Sequence, residues 1–409
     1  MPETGRTTAL LPGAGHAPDP GSEPPAGGVR PLSAAAPGVR RTVSPLARQA
    51  DRDRRLDPEA VEAITEAGFP RHFVPRRFGG TAGTFTDFTE AVTEVAQGCA
   101  AAGWCASLFA SHARLAAYLP AAGQEELWAN GPGARVSAGF VPGDSAAPAP
   151  GGWTLNGTWN YISGVDFADW VLVSAWEPDP AEKRLRFFAV RRQDCEVRDT
   201  WFTVGLRGTG SRTIVLEDVF VPRERTFAQA VLLAGTAPET APARCHDVPF
   251  RLVNGLTMVT PALGAATGAL HAWSEWIARR TEVLMGRTVR AGEKASVQSA
   301  LARSSAAVEA AGLLIGRIAG EADAGAGSVP RNHRDFAVVA ESLTDAVDRL
   351  QRESGARGQM EGAPVELAWR DVHAAASHAA LQFDSNAAVY ARHVFGGGPY
   401  GTKEESSHG

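Results

Sequence analysis

The sequence lacks the features of a membrane protein, a nucleic-acid-binding protein or a disulfide-stabilised domain. No apolar run reaches the roughly 18 residues that a membrane-spanning helix needs. Its 40 Lys and Arg are scattered among 45 Asp and Glu, and a net charge of −5 argues against a nucleic-acid partner. Only four cysteines occur, with neither a CxxC pair nor a zinc-site spacing. These absences favour reduced thiols that act as small apolar fillers in a cytoplasmic protein.

Familiar catalytic signatures are missing as well. Gly13-Ala-Gly15 follows no predicted strand, so it does not indicate a dinucleotide-binding turn, and no Gly-x-Ser-x-Gly elbow occurs. His373 and His378 are five residues apart, which separates them by about 140° around a helix instead of placing them on one zinc-binding face. We therefore predict no metal site, and any cofactor should be organic.

The chain is long enough for two or three packed units, and its composition changes along its length. Residues 1–40 are rich in Pro, Gly and Ala and lack the apolar core of a signal peptide, which predicts a disordered leader. Residues 41–132 show helical spacing, residues 133–230 show strand patterns, and residues 231–398 are helical again. Residues 399–409 are expected to form a flexible tail. The predicted fold class is α+β.

Within these blocks the pattern predicts individual elements. The helices expected from apolar spacing and stop signals are Arg54–Gly68, Phe85–Ala117, Pro261–Leu284, Lys294–Ala322, Arg331–Glu353 and Pro364–Phe395. The expected strands are two short ones around the Asn-Gly turn of Trp153–Trp159, and Trp170–Trp176, Leu185–Val190 and Thr213–Val221. The strands suggest a small antiparallel barrel or sandwich, and the last four helices suggest a bundle.

Three segments of the β block resemble the acyl-CoA dehydrogenase superfamily. They are Asn156-Gly-Thr-Trp-Asn-Tyr-Ile-Ser-Gly164, Trp201-Phe-Thr-Val-Gly-Leu-Arg-Gly-Thr-Gly-Ser211 and Val219-Phe-Val-Pro222. The superfamily has a "Gly-x-Lys-x-Trp-Ile-Thr-Asn-Gly" strand and a "Gly-x-Arg-x-Ser" turn before "Val-Pro". The resemblance spans about residues 43–395. It implies an N-terminal helical domain, a middle β-barrel domain and a C-terminal four-helix bundle, usually assembled as a homotetramer.

The last helix is similar to one branch of that superfamily. Acyl-CoA dehydrogenases need a carboxylate base, often about eight residues after an Arg-Asp pair. Here Trp369-Arg-Asp371 keeps the pair, but the segment from Val372 to Phe383 contains no acid, and His378 lies near the expected place of the Glu. This helix resembles that of the two-component flavin monooxygenases, such as the oxygenase components of 4-hydroxyphenylacetate and steroid-phenol hydroxylases.

The resemblance implies roles for particular residues. His378, Ser163 and His112 are the expected catalytic residues, and Ser137, His112 and His373 are expected to border the substrate. His112 could equally be a hydrogen-bonded core histidine, and His373 could be structural. The cofactor-binding residues that we expect are Ser163, Trp201, Gly205, Arg207, Ser211, Arg287 and Gln298. Arg370 and Asp371 are expected to form ion pairs that position their helix. The superfamily's Phe-Gly pair is missing after Arg287, which favours FMN, with FAD as the alternative.

The implied reaction is oxygen insertion by a reduced flavin. Flavin and O2 would form a hydroperoxide that survives if water is kept away and if hydroxyl and imidazole groups hold it. A separate reductase would supply the reduced flavin, and the substrate would be a small aromatic or phenolic metabolite, first of all from natural-product biosynthesis. Two alternatives stay open at this point: an N-oxygenase of an amine or amino sugar, and an acyl-CoA or acyl-carrier dehydrogenase with its base elsewhere.

Overall fold

A computed structural model of the chain describes residues 30–143, 145–178, 184–236, 242–284 and 286–396. The predicted tail and most of the predicted leader therefore lie outside the described residues. None of the helices in the described ranges is long and apolar enough to cross a membrane.

The first part of the chain is helical. Its helices are α1 (Leu32–Asp53), α2 (Pro58–Ala67), α3 (Phe85–Gly98), α4 (Ala100–Ala116) and α5 (Ala121–Leu127). The segment predicted as one helix, Phe85–Ala117, is two helices, because Cys99 between them has an extended backbone with φ −156° and ψ 109°. Helix α4 is buried along nearly its whole length, which suits its Ala-rich sequence.

Helix α1 corrects the predicted leader. Disorder was expected for residues 1–40, but residues 32–40 are helical. Two features stabilise this start. Leu32, Ala36 and Val39 are buried on one face, and the backbone N–H groups of Leu32 and Ser33 donate to the carboxylate of Asp87 at 2.9 and 2.8 Å. The Pro- and Ala-rich composition therefore concealed an amphipathic helix whose N-terminal cap comes from another helix.

The middle part consists of two four-stranded sheets that pack face to face. One sheet has the order β1-β4-β5-β8 and the other β2-β3-β7-β6. Their strands are β1 (Val136–Gly143), β2 (Ser145–Ala149), β3 (Gly152–Ile162), β4 (Trp170–Trp176), β5 (Leu185–Arg191), β6 (Glu196–Arg198), β7 (Arg212–Pro222) and β8 (Thr226–Ala228). The pairing of β1 with β4 is parallel and the other pairings within the two sheets are antiparallel. A shared core of apolar side chains, including Trp159, Val173 and Phe188, separates the sheets.

The predicted hairpin at Trp153–Trp159 is instead one continuous strand, β3. Its register against β7 shifts between Leu155 and Gly157, which is a bulge. The Asn156 side chain bonds Asp218 of β7 in both directions, through Nδ2 to the carboxylate at 2.9 Å and through Oδ1 from the Asp218 N–H at 2.8 Å. The Asn-Gly pair that predicted a turn therefore bends a strand without ending it.

The C-terminal part is a helical bundle. Short helices α6 (Gln229–Ala234) and α7 (Phe250–Val253) precede the long helices α8 (Leu256–Ala278), α9 (Ala295–Asp323) and α10 (Val329–Glu353), which are followed by α11 (Gly355–Gly358), α12 (Glu366–Ala376) and α13 (Phe383–Val394). A two-stranded hairpin, β9 (Thr281–Leu284) with β10 (Arg287–Arg290), lies between α8 and α9.

Two predicted helices of the bundle are not continuous over their predicted ranges. The first stops at Ala278, and residues 281–284 form a strand. The last, predicted over Pro364–Phe395, is two helices that form the fourth leg of the bundle, and His378 lies in the interruption between them. His378 therefore lies between two helices, although the sequence predicted it within a single helix.

Candidate active site

A chain of buried hydroxyl groups lies where the β unit meets helix α4. The Ser163 hydroxyl is 2.6 Å from that of Ser211, which is 2.7 Å from the hydroxyl of Thr209. The indole Nε1 of Trp104 donates to Ser163 at 3.3 Å, and Thr209 donates to the Leu206 carbonyl at 2.8 Å. Ser163 and Ser211, both predicted from the sequence, are thus direct partners. The group is rich in hydrogen bonds and carries no charge.

Local backbone geometry sets the position of Ser163. Strand β3 ends at Ile162, and the Ser163 N–H donates to the Tyr161 carbonyl at 3.1 Å. Tyr161 has φ 63° and Gly164 has φ 71°, so both residues lie in the left-handed region. A tyrosine in this region costs on the order of 1–2 kcal/mol relative to an ordinary conformation. The chain thus turns sharply on both sides of Ser163.

Ser137 and His112 are joined to Ser163 through strand β1. The Ser137 hydroxyl donates to the Ser163 carbonyl at 2.8 Å. The Nδ1 of His112 lies 3.2 Å from the carbonyl of Val136, the residue before Ser137. Since a carbonyl can only accept, Nδ1 carries the proton and Nε2 is left with a free lone pair. Burial lowers the pKa of His112 to about 4, so the ring is neutral near pH 7.

His378 lies at the edge of the same region with the opposite arrangement. Its Nδ1 accepts the Ala380 N–H at 3.2 Å, so the proton of the neutral ring is on Nε2, which can donate. The ring centroid is 6.4 Å from that of Trp104, the donor to Ser163. The side chain is exposed in the single chain, yet desolvation by neighbouring groups lowers its pKa. His378 is therefore a neutral donor beside the hydroxyl chain.

A mostly apolar pocket borders His112 on the side of the bundle. Its lining residues include Phe85, Phe88, Leu108, Phe140, Phe250 and Met258. Phe140 of β1 stacks on Phe250 of α7, with ring centroids 5.5 Å apart, and it is 6.0 Å from the His112 ring. Among the described residues that line it, none has an acidic side chain. The cavity has a volume of about 40 Å³, so the imidazole lone pair lies beside a small, mostly apolar space that must widen to admit an aromatic molecule.

The segment between Trp201 and Ser211 is fixed from outside by α12 and α1. Leu206 N–H donates to the Asp371 carboxylate at 2.6 Å, and Arg370 donates to the Val204 carbonyl at 2.7 Å. Arg370 also forms a two-pronged ion pair with Asp51 at 2.8–2.9 Å. Arg370 thus forms the expected ion pairs, whereas Asp371 was predicted wrongly as an ion-pair partner: it accepts a backbone N–H, and burial raises its pKa to about 7.

Besides Ser211, three predicted cofactor residues lie in this segment. Gly205 packs on the backbone of α12, where an added Cβ would lie 2.0 Å from the Arg370 carbonyl oxygen. Arg207 donates to the carbonyls of Asp51 and Thr203 at 2.9 and 3.0 Å. Trp201 donates to the Leu206 carbonyl at 3.0 Å and contacts the ring of Tyr161 edge-on. Gly205 and Arg207 therefore shape the segment that presents Ser211, and Trp201 forms part of its outer surface.

Other predicted residues are not joined to this group. His373 pairs with Asp348 of α10 at 2.9 Å and contacts Trp369, so it links two helices of the bundle. Gln298 is exposed in the first turn of α9 and donates to the Gly292 carbonyl at 3.2 Å. Arg287 lies in strand β10. The contacts of His373 and Gln298 are structural within this chain.

Sequence reasoning missed Trp104 and Thr209. Trp104 precedes His112 by eight residues, a spacing that places both on similar sides of α4, and this spacing could have identified it. Thr209 is one member of the Gly-Thr-Gly-Ser run, and no sequence signal separates it from its neighbours.

The residues present fit an organic ring cofactor. The hydroxyls can hydrogen-bond a polar ring edge without adding charge. Tyr161, Phe202 and Val204, beside the hydroxyl chain or in the adjoining segment, leave 69%, 71% and 72% of their surface exposed, an apolar surface that suits a planar ring. Among the residues that the structure describes, no group of three or more His, Cys, Asp and Glu could hold a metal ion.

Comparison with known families agrees with this architecture. Residues 33–129 match the family model for the acyl-CoA dehydrogenase N-terminal domain, and residues 256–383 match that for the acyl-CoA dehydrogenase C-terminal domain. The two matches lie on either side of the β unit, and together they cover more than half of the chain.

Individual relatives belong to the oxygenase branch. The chain is 33% identical over 364 residues to the flavin-dependent monooxygenase oxygenase subunit HsaA of Mycobacterium tuberculosis, with 84% of this chain and 90% of the relative covered. It is 31% identical to the oxygenase component of the FADH2-dependent resorcinol hydroxylase of Rhizobium sp., with 94% and 98% covered.

A solved structure extends the comparison to three dimensions. XiaF from Streptomyces sp., in complex with FADH2 and glycerol, superimposes with a TM-score of 0.83 at 25% identity, and the match covers 91% of this chain and 96% of XiaF. The predicted superfamily, branch and flavin cofactor are thereby confirmed. The chain belongs to the acyl-CoA dehydrogenase family, in its group of flavin-dependent monooxygenase oxygenase components.

Proposed function

We propose that this chain hydroxylates a small phenolic substrate, using a reduced flavin and O2. The observation that carries the proposal is the state of His112, a neutral imidazole whose Nε2 lone pair is free beside an apolar pocket. Aromatic hydroxylation is aided by a base that removes the phenolic proton, because the phenolate is the better nucleophile. His112 is that base.

The low pKa of His112 is compatible with this role. Burial disfavours the imidazolium in a pocket without a counter-charge, and this lowers the pKa. A phenolate formed next to Nε2 supplies the missing negative charge, so the ion pair that results is stabilised where the isolated cation is not. The Val136 carbonyl keeps the ring oriented during the transfer, because it accepts from Nδ1 before and after Nε2 gains its proton.

A bound reduced flavin would supply the electrons that activate O2. Ser163, Ser211 and Thr209 would hold its polar edge through neutral hydroxyls, and Trp201 and Tyr161 would border its ring. His378 would donate from Nε2 to an oxygen atom close to the hydroxyl chain, and its bond to Ala380 keeps that proton on the correct nitrogen. The aromatic walls of the His112 pocket would exclude water.

The pocket disfavours acyl-CoA dehydrogenation. A dehydrogenase needs a carboxylate next to the bound thioester, and the lining of the His112 pocket, as far as the structure describes it, includes no acid. Anaerobic mixing of the oxidised holoenzyme with acyl thioesters should leave the flavin absorbance unchanged. Bleaching would indicate a dehydrogenase. An N-oxygenase of an amino sugar is the weaker alternative, because most of the side chains that line this pocket are apolar and would leave part of the sugar's hydroxyl groups without hydrogen-bond partners.

Substitution tests the proposed role of His378. His378→Ala should lower the product formed per reduced flavin several-fold and raise hydrogen peroxide by a matching amount, with flavin still bound. His373→Ala is the control: it removes an imidazole from the same stretch of chain, but one that pairs with Asp348. Both products would be measured with reduced flavin generated chemically. If the two variants formed the same amount of product per reduced flavin, His378 would be excluded from the reaction.

We further propose that the flavin is reduced FAD delivered by a separate reductase. The sequence favoured FMN, which the more distant TdsC binds at 17% identity, but the resorcinol hydroxylase and XiaF, at 31% and 25% identity, use or bind FADH2. Anaerobic titration with both reduced flavins should give a lower Kd for FADH2.

Arg287 and Gln298 stay candidates for contacts with a flavin bound by a neighbouring subunit. Cytoplasmic location and a role in natural-product biosynthesis stay predictions.

A further inference from the structure

The buried hydroxyl chain ends at a backbone carbonyl. The Thr209 hydroxyl lies 2.8 Å from the Leu206 carbonyl oxygen, and because a carbonyl can only accept, Thr209 is the donor. Leu206 is itself held in place, since its N–H donates to the Asp371 carboxylate at 2.6 Å and the Trp201 indole donates to its carbonyl at 3.0 Å. The single hydroxyl proton of Thr209 is therefore directed to a fixed acceptor.

This carbonyl sets the direction of the other hydrogen bonds in the chain. A hydroxyl has one proton, and Thr209 donates its own to Leu206, so Ser211 must donate to Thr209 across 2.7 Å. Ser211 then has no proton left, so Ser163 must donate to Ser211 across 2.6 Å. The opposite direction would leave two oxygen lone pairs facing each other at 2.8 Å between Thr209 and Leu206, which is unfavourable in a buried site.

The Ser163 hydroxyl can therefore only accept from a bound molecule. Its proton is directed to Ser211, and one of its two lone pairs accepts from the Trp104 Nε1 at 3.3 Å. The second lone pair receives no hydrogen bond from the residues that the structure describes. Ser163 thus offers a bound molecule one acceptor site and no donor.

The two redox states of a flavin differ in what they present to such an acceptor. The central ring of a flavin carries an N–H group when it is reduced and a nitrogen lone pair when it is oxidised, and proteins tune flavins through hydrogen bonds to the ring nitrogens. An acceptor gains a hydrogen bond from the reduced ring, whereas the oxidised ring places one lone pair against another.

We propose that Thr209 and Ser211 are positioning residues that hold the Ser163 hydroxyl as an acceptor, and that the site thereby selects reduced over oxidised flavin. Thr209 and Ser211 act through Ser163. The inference rests on the proposed function, because it takes Ser163 as a residue that contacts the flavin. Selection of the reduced form suits a chain that receives its flavin from a separate reductase, since the oxidised flavin left after the reaction would be released.

Binding of the two redox states tests the inference. The dissociation constants of oxidised flavin and of chemically reduced flavin would be measured anaerobically with the full-length protein, for FAD and for FMN. With the flavin that binds more tightly, the reduced form should have a Kd at least about tenfold lower, the effect of one hydrogen bond exchanged for one repulsive contact. Equal affinities for the two redox states would overturn the proposal.

Thr209→Val assigns the selectivity to the chain, because it removes the donor to Leu206 and keeps the shape of the side chain. The Ser211 and Ser163 protons can then turn toward the flavin, so oxidised flavin should bind several-fold more tightly than it binds the wild type. If this variant does not fold, Ser211→Ala carries the same expectation, since it also releases the Ser163 proton. Weaker binding of both redox states by the same factor would show a purely structural role and overturn the inference.

Two further variants are matched to Thr209→Val. Thr209→Ser keeps the hydroxyl and should keep the wild-type ratio of the two dissociation constants. Thr213→Val removes another buried hydroxyl, one that bonds Thr200 at 2.7 Å and Asn160 at 2.8 Å outside the chain, and it should leave the ratio unchanged. If Thr213→Val changed the ratio as much as Thr209→Val, the selectivity would not come from the hydroxyl chain.

The outcome is separable from that of the proposed hydroxylation. If the redox selectivity and its dependence on Thr209 are found but no phenol is hydroxylated, the hydroxylation is wrong and the positioning role stands. If phenols are hydroxylated but both redox states bind equally, the positioning role is wrong and the hydroxylation stands. If neither redox state of either flavin binds, both are wrong.

Discussion

His112 and His378 keep their protons on opposite ring nitrogens. The Val136 carbonyl holds a proton on Nδ1 of His112, and the Ala380 N–H keeps Nδ1 of His378 unprotonated. In each ring the Nε2 atom is therefore available to a bound molecule. It can accept a proton in His112, and it can donate a hydrogen bond in His378. One backbone contact per ring thus distinguishes two side chains of the same type, and neither contact is visible in a sequence motif.

The buried imidazole of His112 makes the stability of the protein depend on pH. Its pKa is about 4 in the folded state and about 6.5 when unfolded, so the unfolded chain binds more protons between these values. Relative to His112→Asn, the wild type should therefore lose stability as the pH falls from 6.5 to 4, by about 3 kcal/mol in total. Urea unfolding at several pH values measures this loss. If the difference in the free energy of unfolding between the two proteins did not change with pH, His112 would not be a buried neutral ring.

At the scale of elements, the segment from Trp201 to Ser211 depends on its close approach to α12. Gly205→Ala would place a methyl group 2.0 Å from the Arg370 carbonyl oxygen, so the segment must move away from Asp371 and Arg370. We expect a loss of about 3 kcal/mol in the free energy of unfolding, together with weaker flavin binding.

Gly133→Ala is a matched control for that substitution, because no atom lies within 4 Å of its added Cβ. It should leave both unfolding and flavin affinity close to those of the wild type. If Gly205→Ala behaved like Gly133→Ala, the contact between the segment and α12 would not be needed for the site.

Asp371 should also make the stability of the protein depend on pH, but with the opposite sign to that of His112. Burial raises its folded pKa to about 7, above its ordinary value of 3.8, so the folded chain binds the extra proton between these values. Relative to Asp371→Asn, which keeps an acceptor for the Leu206 N–H, the wild type should lose stability as the pH rises from 4 to 7. The slope should approach about 1.4 kcal/mol per pH unit in that window. If the free energies of unfolding of the two proteins changed with pH in the same way, the raised pKa of Asp371 would be refuted.

The sequence predicted the long elements well and their interruptions poorly. Apolar periodicity located α9 and α10 to within a few residues, because each buries one continuous face. The bulge at Asn156 depends on Asp218, a partner distant in the chain. Helix α1 was missed for the same reason, since its cap is Asp87. Local patterns do not carry this information.

The candidate site shows the same division. Family motifs predicted Ser163, Ser211, Ser137 and His112. Hydrogen bonds join Ser163 to Ser211 and to Ser137, and His112 bonds the carbonyl of Val136, the residue before Ser137. Their roles in the reaction stay predictions. His373 matched a pattern but pairs with Asp348.

At the scale of the whole molecule, we expect the chain to assemble as a homotetramer through its helical bundle. Leu313 on α9 and Val394 and Phe395 at the end of α13 leave 65%, 56% and 85% of their surface exposed, which is unfavourable for an isolated chain. Light scattering coupled to size exclusion should give four times the 43.0 kDa chain mass. Leu313→Lys should shift this mass downward if α9 lies in the interface, and a monomeric wild type would exclude the assembly.

The stacked pair Phe140 and Phe250 has a consequence for how substrates enter. One ring belongs to a strand of the β unit and the other to a short helix that precedes the bundle. A slight sliding of these two parts against each other would separate the rings, so no dedicated flap is needed. Entry of substrate into the cavity would then be controlled where the β unit meets the C-terminal helices. Substitutions at this boundary, far from the reacting atoms, could therefore change how fast products leave.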